Sequence, residues 1–281
     1  MIKLFALDLD GTLLDSRSIL RKENIKALRD LEASGVRVIL ASGRVFSSVL
    51  YQAQKISKDP VLIANNGALM GMDYDKLFIE NPLDFTILEK LIDISIKNKL
   101  KFHFYSLDTY YSNELDLESL DHLRKDIDYG LNYQANLDIS NDPLLKLKTK
   151  GESCYKFLIN GIDKSKISRD SLVTIIKDRL NDQVYITSSY EDAIEITSKG
   201  TSKLSAIYGL CEKMGISKNS FAAIGDSDND LEMLEKASLS FAMSNANDKV
   251  KNISDHILED NDGKAISQAV EIIKEHNRCL I

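Results

Sequence analysis

The stretch Phe5-Ala6-Leu7-Asp8-Leu9-Asp10-Gly11-Thr12 decides the fold of this chain. Residues 2–9 are nearly all apolar and show no helical period, which predicts a central parallel strand covered on both faces. The turn signal Asp10-Gly11 ends that strand. Side chains two positions apart on a strand point the same way, so we expect Asp8 and Asp10 to converge at its carboxyl end, where open α/β sheets bind ligands.

The two carboxylates of this stretch need a partner if they lie as close as their spacing indicates. Like charges repel, and a hard cation that prefers oxygen ligands, such as Mg2+, relieves that repulsion. The alternative is an acid-rich turn or helix cap without chemistry. The rest of the chain has to decide between the two interpretations.

The next segments alternate between strands and helices. Gly35 is the expected C-terminal cap of the first helix, and the second strand ends in Ser42-Gly43-Arg44. This βαβαβ order predicts an α/β fold with a Rossmann-like, doubly wound parallel-sheet core. The elements predicted here are a helix over 18–34, a strand over 36–41, a helix over 45–56 and a strand over 60–64.

From about residue 82 paired strands between helices replace this alternation, which predicts an antiparallel α+β module inserted into the first domain. We therefore predict a core domain formed by 1–82 and 197–281, and an inserted α/β cap domain over 83–196. The pattern of 132–149 supports no assignment. The elements predicted in the insert are a helix over 84–99, strands over 101–106 and 109–112, a helical stretch from about Glu114, a strand over 154–159, a helix over 165–180, and strands over 184–188 and 193–197.

Beyond residue 197 the alternation of strands and helices returns. A strand over 220–224 leads into Gly225-Asp226-Ser227-Asp228-Asn229-Asp230, which opens a new helix. The remaining predicted elements are helices over 201–214, 231–237 and 265–275 and short strands over 239–243 and 256–258.

The composition limits the classes of function. The chain has 281 residues, enough for two ordinary domains. Its 36 basic and 43 acidic residues give a net charge of −7, which argues against a broad surface for nucleic acid or anionic membranes. Three scattered cysteines without a CxxC pair argue against a disulfide framework or a zinc site. The N-terminus shows neither a cleavage-like site nor a long apolar span, so we expect a cytoplasmic protein.

Four motifs follow one another along the chain: Asp8-Leu9-Asp10-Gly11-Thr12 after the first strand, Ser42-Gly43 after the second, a lysine at a later helix start, and Gly225-Asp226-Ser227-Asp228-Asn229-Asp230 after a further strand. In this order, and over nearly the whole chain, the sequence resembles the haloacid dehalogenase superfamily. Within it, the resemblance is to the Cof-type phosphatases, which carry a large α/β cap between the second and third motifs. Three shorter matches support this: Asn65-Asn66-Gly67-Ala68, Ala242-Met243-Ser244-Asn245-Ala246 and Asn261-Asp262-Gly263.

The resemblance implies a nucleophile, an acid–base group and a metal site. Asp8 would take the phosphoryl group, and water would then hydrolyse the aspartyl phosphate. Asp10 would protonate the leaving alkoxide and later help to deprotonate the water. Asp8, the backbone carbonyl of Asp10 and the carboxylate of Asp226 would hold Mg2+.

The resemblance also implies a phosphate-binding set. Ser42, with the backbone N–H groups of Gly43 and Leu9, would bind the phosphoryl oxygens. Taken alone, Ser42 is equally typical of a helix N-cap. Asn229 would contact the phosphate or a metal-bound water.

A lysine would offset the remaining phosphate charge. The family pattern favours Lys203, at the start of a helix, although Leu204 stands where the family has glycine. Lys199 is the other candidate, and its ordinary interpretation is a solvated loop lysine. Asp230 would orient the metal ligands, and Asn66 would contact the edge of the substrate.

The resemblance thus implies Mg2+-dependent hydrolysis of phosphate monoesters of small metabolites, such as sugar phosphates or phosphorylated cofactors. From the net charge we expect neither a nucleic-acid nor a membrane partner. A phosphomutase uses the same aspartyl phosphate and would form an isomer without releasing phosphate. A phospho-accepting regulatory module is disfavoured, because the strand over 60–64 ends without an acid. Only an assay separates the phosphatase from a phospho-ligand-binding protein that has lost catalysis. The sequence leaves open the substrate, the cap residues that select it and the oligomeric state.

Overall fold

The apolar stretch before Asp8 forms the central strand of the larger of two sheets. A computed structural model describes residues 1–114, 136–163, 165–189 and 192–280. The first strand, Leu4–Leu7, is buried at all four positions, as its apolar pattern predicts. It is shorter than the predicted 2–9, because the chain leaves the sheet at Asp8 and enters a turn over Leu9–Leu13, in which Asp10 and Gly11 have non-helical backbone angles.

The described residues contain strands and helices in the following bounds. The strands are β1 (Leu4–Leu7), β2 (Arg37–Ala41), β3 (Val61–Ala64), β4 (Leu69–Gly71), β5 (Leu77–Glu80), β6 (Lys101–Tyr105), β7 (Thr109–Ser112), β8 (Asn136–Ile139), β9 (Lys156–Asn160), β10 (Val184–Thr187), β11 (Ala193–Ser198), β12 (Phe221–Gly225), β13 (Leu239–Met243) and β14 (His256–Leu258). The helices are α1 (Lys22–Glu32), α2 (Phe46–Ile56), α3 (Phe85–Lys97), α4 (Pro143–Lys150), α5 (Arg169–Leu180), α6 (Lys203–Met214), α7 (Leu231–Lys236), α8 (Asp248–Ile253) and α9 (Ala265–Arg278).

The larger sheet has eight strands in the order β14-β13-β12-β1-β2-β3-β4-β5. The six strands from β14 to β3 are parallel, which confirms the predicted doubly wound core. Strands β4 and β5 extend one edge in the antiparallel direction and were not predicted. Leu7 pairs with Ile224 on β12 and with Leu40 on β2, so the loops that follow these three strands begin side by side.

Two groups of helices cover the larger sheet. Helix α1 packs against α2 and α9, and α7 packs against α6 and α8. The short helix α8 was not predicted. Buried side chains from strands and helices form one apolar core around β1. None of the helices in the described ranges combines the length and the apolar composition that a membrane crossing requires.

The smaller sheet has six strands in the order β10-β11-β9-β6-β7-β8, and all its pairs are antiparallel except β7–β8. Helices α3 and α5 pack on it over a second apolar core. Strand β8 and helix α4 lie in the region for which the sequence supported no assignment. The helical stretch predicted from about Glu114 lies, after Glu114 itself, outside the described residues. Strand β11 runs to Ser198, across the boundary predicted between 196 and 197.

The smaller sheet contacts the loops at the carboxyl ends of β2 and β3. The backbone N–H of Phe46 donates to the carbonyl of Leu107 in the β6–β7 turn, at 3.2 Å. The carboxylate of Asp108, in the same turn, accepts from the backbone N–H of Ser47, at 3.1 Å. The turn therefore rests on the first residues of α2, close to the Ser42 loop.

Gly67 is a position where we expect any side chain to be strongly destabilising. Its φ is +100°, and an added Cβ would overlap the carbonyl of Ser202, just before α6. Gly35 has a similar φ of +90°, but nothing lies within 4 Å of an added Cβ. Gly35→Ala should therefore cost only the backbone term, about 1–2 kcal/mol, whereas Gly67→Ala should lose more than about 3 kcal/mol. Urea unfolding measures both, and equal losses would contradict the packing of Gly67 against α6.

Candidate active site

Lys203 is the buried cation at the centre of the site. Helix α6 begins at this residue, and its side chain is 1% exposed. Lys203 Nζ lies 2.6 Å from Asp8 Oδ1 and 2.7 Å from Asp230 Oδ1. Lys199, the other lysine considered from the sequence, is exposed and forms its ion pair elsewhere. The structure thus brings Lys203, and not Lys199, to Asp8.

Asp230 holds the loop after β12 in position. Its Oδ1 accepts from Lys203, and its Oδ2 accepts the backbone N–H groups of Asp226 and Ser227 at 3.1 Å each. The Asp226 carboxylate in turn accepts the hydroxyl of Thr12 at 2.9 Å and that of Ser227 at 3.0 Å. Asp226 is therefore oriented by its own loop and by the turn that follows β1.

Three carboxylates form an oxygen cluster at this point. Asp8, Asp226 and Asp230 each offer an oxygen atom, and these atoms lie within 4.8 Å of one another. Asp230 is bonded through one oxygen to the ammonium of Lys203 and through the other to two backbone N–H groups, whereas Asp226 accepts from two hydroxyls, which can rotate when a cation binds. Asp8 and Asp226 are therefore the residues that would hold a cation. An all-oxygen set suits a hard divalent cation such as Mg2+. Asp10 was predicted to contribute its backbone carbonyl, and its carboxylate lies outside the cluster.

The pKa values in the cluster are shifted first by burial and then by the neighbouring charges, of which three are negative and one is positive. Burial raises the pKa of the Asp8 carboxyl well above its usual range. The positive charge of Lys203 lowers this pKa in part, and the negative charge of Asp230 raises it further. Burial, followed by the charge of Asp230, raises the pKa of Asp226 to about 7. Burial lowers the pKa of Lys203, but the charges of Asp230 and Asp8 outweigh it and hold that pKa above its usual value. A divalent cation beside Asp8 and Asp226 would offset this excess of negative charge, so the residues fit a metal site.

Asp10 forms a bidentate pair with Arg44. Arg44 Nε lies 2.8 Å from Asp10 Oδ2, and Nη2 lies 2.6 Å from Oδ1. The Arg44 side chain is buried, whereas that of Asp10 is 37% exposed. No role for Arg44 was predicted. Arg44 lies directly after Ser42-Gly43 in the loop that follows β2, the strand next to β1, and this position is the signal that places it beside Asp10.

The loop after β2 carries the predicted phosphate-binding groups. Ser42 is buried, its carbonyl accepts the backbone N–H of Asn66 at 3.0 Å, and its Oγ accepts the backbone N–H of Arg44 at 3.2 Å. Ser42 is not a helix N-cap, because α2 begins at Phe46 with Val45 in that position. The Ser42-Gly43 loop therefore follows β2 in the same way as the turn Asp8-Leu9-Asp10-Gly11-Thr12 follows β1. Both lie at the same edge of the sheet.

Asn229 points toward the smaller sheet. Its Nδ2 donates to Asn66 Oδ1 at 3.2 Å and to Ser189 Oγ at 2.8 Å. Its Oδ1 is buried and makes no hydrogen bond with the described residues. The phosphate or metal-water contact of Asn229 stays a prediction, and the observed contacts place this residue between Asn66 and the insert.

Comparison with known proteins gives similar hydrolases over nearly the whole chain. The family model of haloacid dehalogenase-like hydrolases matches residues 5–270. A 5-amino-6-(5-phospho-D-ribitylamino)uracil phosphatase of Bacillus subtilis is 27% identical over 269 residues, which are 96% of this chain and 94% of that protein. A phosphoglycolate phosphatase of Methanothermobacter thermautotrophicus is 25% identical over 272 residues, 96% of this chain and 97% of that protein.

The fold is also that of solved structures. The structure of a haloacid dehalogenase-like hydrolase from B. subtilis superimposes with a TM-score of 0.82 at 23% sequence identity. The match covers 96% of this chain and 99% of that one. The likeness therefore includes both sheets and is evidence for the fold.

The raised pKa of Asp226 predicts how stability depends on pH. The folded state holds the proton of Asp226 more tightly than the unfolded chain does. Protonated Asp226 therefore contributes fully to the stability of the fold below about pH 4, and this contribution is lost as the pH rises toward about 7. We expect the melting temperature of the metal-free protein to fall across this range, and to fall less in Asp226→Asn. Because a cation binds the ionised carboxylate, added Mg2+ should raise the melting temperature more at pH 8 than at pH 5.5. A Mg2+ shift independent of pH, or unchanged in Asp226→Asn, would contradict the site.

Proposed function

The chain belongs to the haloacid dehalogenase-like hydrolase family, and we propose that it is a Mg2+-dependent phosphatase of small metabolites that works through an aspartyl phosphate on Asp8. The family and its phosphatase relatives make it a hydrolase of phosphoric monoester bonds. The relatives described above are named for a phosphoribityl compound and for phosphoglycolate. We therefore take a small phosphorylated metabolite, such as a sugar phosphate or a phosphorylated cofactor, as the substrate class.

One observation carries this proposal: the buried ammonium of Lys203 bridges Asp8 and Asp230, with Asp226 in the same oxygen cluster. A nucleophilic carboxylate, a fixed cation and a cation site at one strand end are the parts that phosphoryl transfer requires. An acid-rich turn without chemistry would leave its carboxylates in water, and here the carboxylates of Asp8 and Asp230 are buried.

Asp8 would attack the phosphorus atom and form the aspartyl phosphate while the ester oxygen leaves. Lys203, held against Asp8, would stabilise the negative charge on the transferring group. A bound Mg2+ would supply further positive charge next to the phosphoryl oxygens. Asp8 and Asp226 are the side chains that would hold it, and Asp230 keeps Asp226 in position.

Asp10 would act as the acid and then as the base. It would give a proton to the leaving alkoxide in the first step and take a proton from the attacking water in the second. Arg44 holds the Asp10 carboxylate in a fixed orientation through two hydrogen bonds. This supports a single position for the group that transfers the proton, which general acid–base catalysis needs.

Ser42 and the backbone N–H groups of Gly43 and Leu9 would bind the phosphoryl oxygens. The loops that carry them leave neighbouring parallel strands, so their amides lie at one edge of the sheet. The module over 83–196 would act as a cap that covers this edge. Such closure excludes bulk water and brings cap residues to the leaving group.

The nucleophile assignment predicts that Asp8→Asn abolishes turnover. Asparagine keeps the size of the side chain but is not a competent nucleophile, so kcat for p-nitrophenyl phosphate should fall by more than about 10^3-fold. The measurement is phosphate release from a panel of small phosphate monoesters, with Mg2+ and with EDTA. The wild type should lose its activity in EDTA and recover it when Mg2+ is restored.

Asp182→Asn is the matched control for this substitution, since Asp182 also pairs with a lysine but lies exposed on the surface. It should leave kcat unchanged. Equal phosphate release by Asp8→Asn and the wild type, or none from any ester, would contradict the proposal. Isomer formation from a hexose monophosphate without phosphate release would indicate a phosphomutase instead.

The division between core and cap predicts separable properties. Replacing residues 83–196 with the corresponding segment of a related phosphatase should change the order of preference among phosphate esters. Dependence on Mg2+ should persist, because Asp8 and Asp226 belong to the core. The ester panel with and without Mg2+ measures both properties, and a chimera that turns over without metal would refute this division.

A further inference from the structure

Two buried charges of the smaller sheet face the phosphate-binding loop. Lys156 on β9 and Glu195 on β11 share one face, because Glu195 pairs with Leu158, two residues beyond Lys156. The adjacent Phe157 and Ile194 lie on the opposite face and belong to the apolar core of that sheet. The side chains of Lys156 and Glu195 are 4% and 3% exposed, and Lys156 Nζ lies 3.7 Å from Glu195 Oε2.

Stability alone is a weak reason for this buried pair. Apolar residues of similar volume are often equally stabilising at such a position, because the desolvation of two charges offsets their attraction. The steps described for Asp8 and Asp10 do not involve the pair of Lys156 and Glu195. The contacts of this pair with the core indicate its role.

Both charges contact the core at the Ser42 loop. Lys156 Nζ donates to the carbonyl of Gly43 at 2.6 Å. The Glu195 carboxylate accepts from Asn66 Nδ2, and the backbone N–H of Asn66 donates to the carbonyl of Ser42. Lys156 therefore holds Gly43, which belongs to the phosphate-binding loop, and Glu195 holds Asn66, which is bonded to that loop.

These bonds fix the two peptide units that flank Gly43. In a trans peptide the N–H points away from the C=O, so the bond from Asn66 to the Ser42 carbonyl sets the direction of the Gly43 N–H. The following peptide is held at its carbonyl by Lys156 and at its N–H by the hydroxyl of Ser42. A Cβ added to Gly43 would lie 2.9 Å from Asn66 Oδ1 and 3.1 Å from Lys156 Nζ, so a side chain at this position would have to displace both groups.

We propose that Lys156 and Glu195 are positioning residues, which order the Ser42-Gly43 phosphate-binding loop when the smaller sheet closes over it. Lys156 fixes the Gly43 carbonyl, and Glu195 fixes Asn66 and through it the Ser42 carbonyl. The inference rests on the proposed phosphatase function of the same site. It follows that the loop reaches its binding geometry in the closed protein, whatever leaving group the substrate carries.

The test compares Lys156→Met with the wild type on two esters with unlike leaving groups, p-nitrophenyl phosphate and sorbitol 6-phosphate. We expect kcat to fall about 10- to 100-fold, by the same factor for both, since small misplacements of binding groups cost on the order of 10²-fold. Calorimetric titration with inorganic phosphate in Mg2+ should show an affinity about tenfold lower, the effect of a weakened hydrogen-bond donor. Lys148→Met is the matched control, because Lys148 forms its pair with Glu89 at the surface of the same module.

Lys156→Met leaves Glu195 buried without its partner, so a second variant is needed. Lys156→Met combined with Glu195→Gln buries no charge and retains an oxygen that accepts from Asn66. We expect this double variant to melt close to the wild type and still to show the loss in kcat and in phosphate affinity. Glu195→Ala should lose more activity than Glu195→Gln, because alanine cannot hold Asn66.

Three results would overturn the inference. The first is unchanged kcat and phosphate affinity in a folded Lys156→Met protein. The second is a loss confined to sorbitol 6-phosphate, which would make Lys156 a contact of the leaving group. The third is full recovery in the double variant. Failure of the proposed function is distinct: the wild type would then release no phosphate, and the phosphate titration would still compare the loops of wild type and variant.

Discussion

The pairing of one buried ammonium with two carboxylates is the interaction on which the site depends. Without Lys203, Asp8 and Asp230 would be buried without a counter-charge, at a cost on the order of several kcal/mol per ion. The fold supplies this pairing through adjacent strands: the registers of β1 and β12 bring Asp8 next to Asp226, and α6 begins at Lys203. One ammonium among three acids leaves negative charge in excess, which is the physical reason why we propose a divalent cation at this edge of the sheet.

A second ion pair faces the first from the inserted module. Lys203 organises the acids after β1 and β12, and Lys156, paired with Glu195, contacts the loop after β2. The proposed phosphate-binding loop thus lies between two parts of the chain. In the core, Asn66 holds the carbonyl of Ser42, and in the insert, Lys156 holds the carbonyl of Gly43. On the proposal made above, closure of the insert and the geometry for phosphate belong to one structural event, which would link the motion of the module to the chemistry.

The parallel core and its acids could be predicted from sequence because their signals are local. Strands buried on both faces are apolar runs, and Asp8 and Asp226 follow such runs. The family pattern, and not a local signal, favours Lys203 over Lys199. Strands β4 and β5 left no such signal, since one has three residues and the other is only half-buried. The contacts of Lys156 and Arg44 with their partners depend on tertiary structure: Lys156 and Gly43 are 113 residues apart. No pattern near Lys156 indicates this contact, and the substrate contacts of the insert are hidden from sequence for the same reason.

The measurement that tests the central claim most directly is the chemical identification of the phosphorylated residue during turnover. The wild type would be mixed with p-nitrophenyl phosphate and Mg2+, quenched in acid, and reduced with borohydride, which converts an aspartyl phosphate to homoserine. Mass spectrometry of the peptides would then locate the converted residue. The account predicts conversion at Asp8. Turnover without a converted residue in fully covered peptides, or conversion at another aspartate, would contradict it.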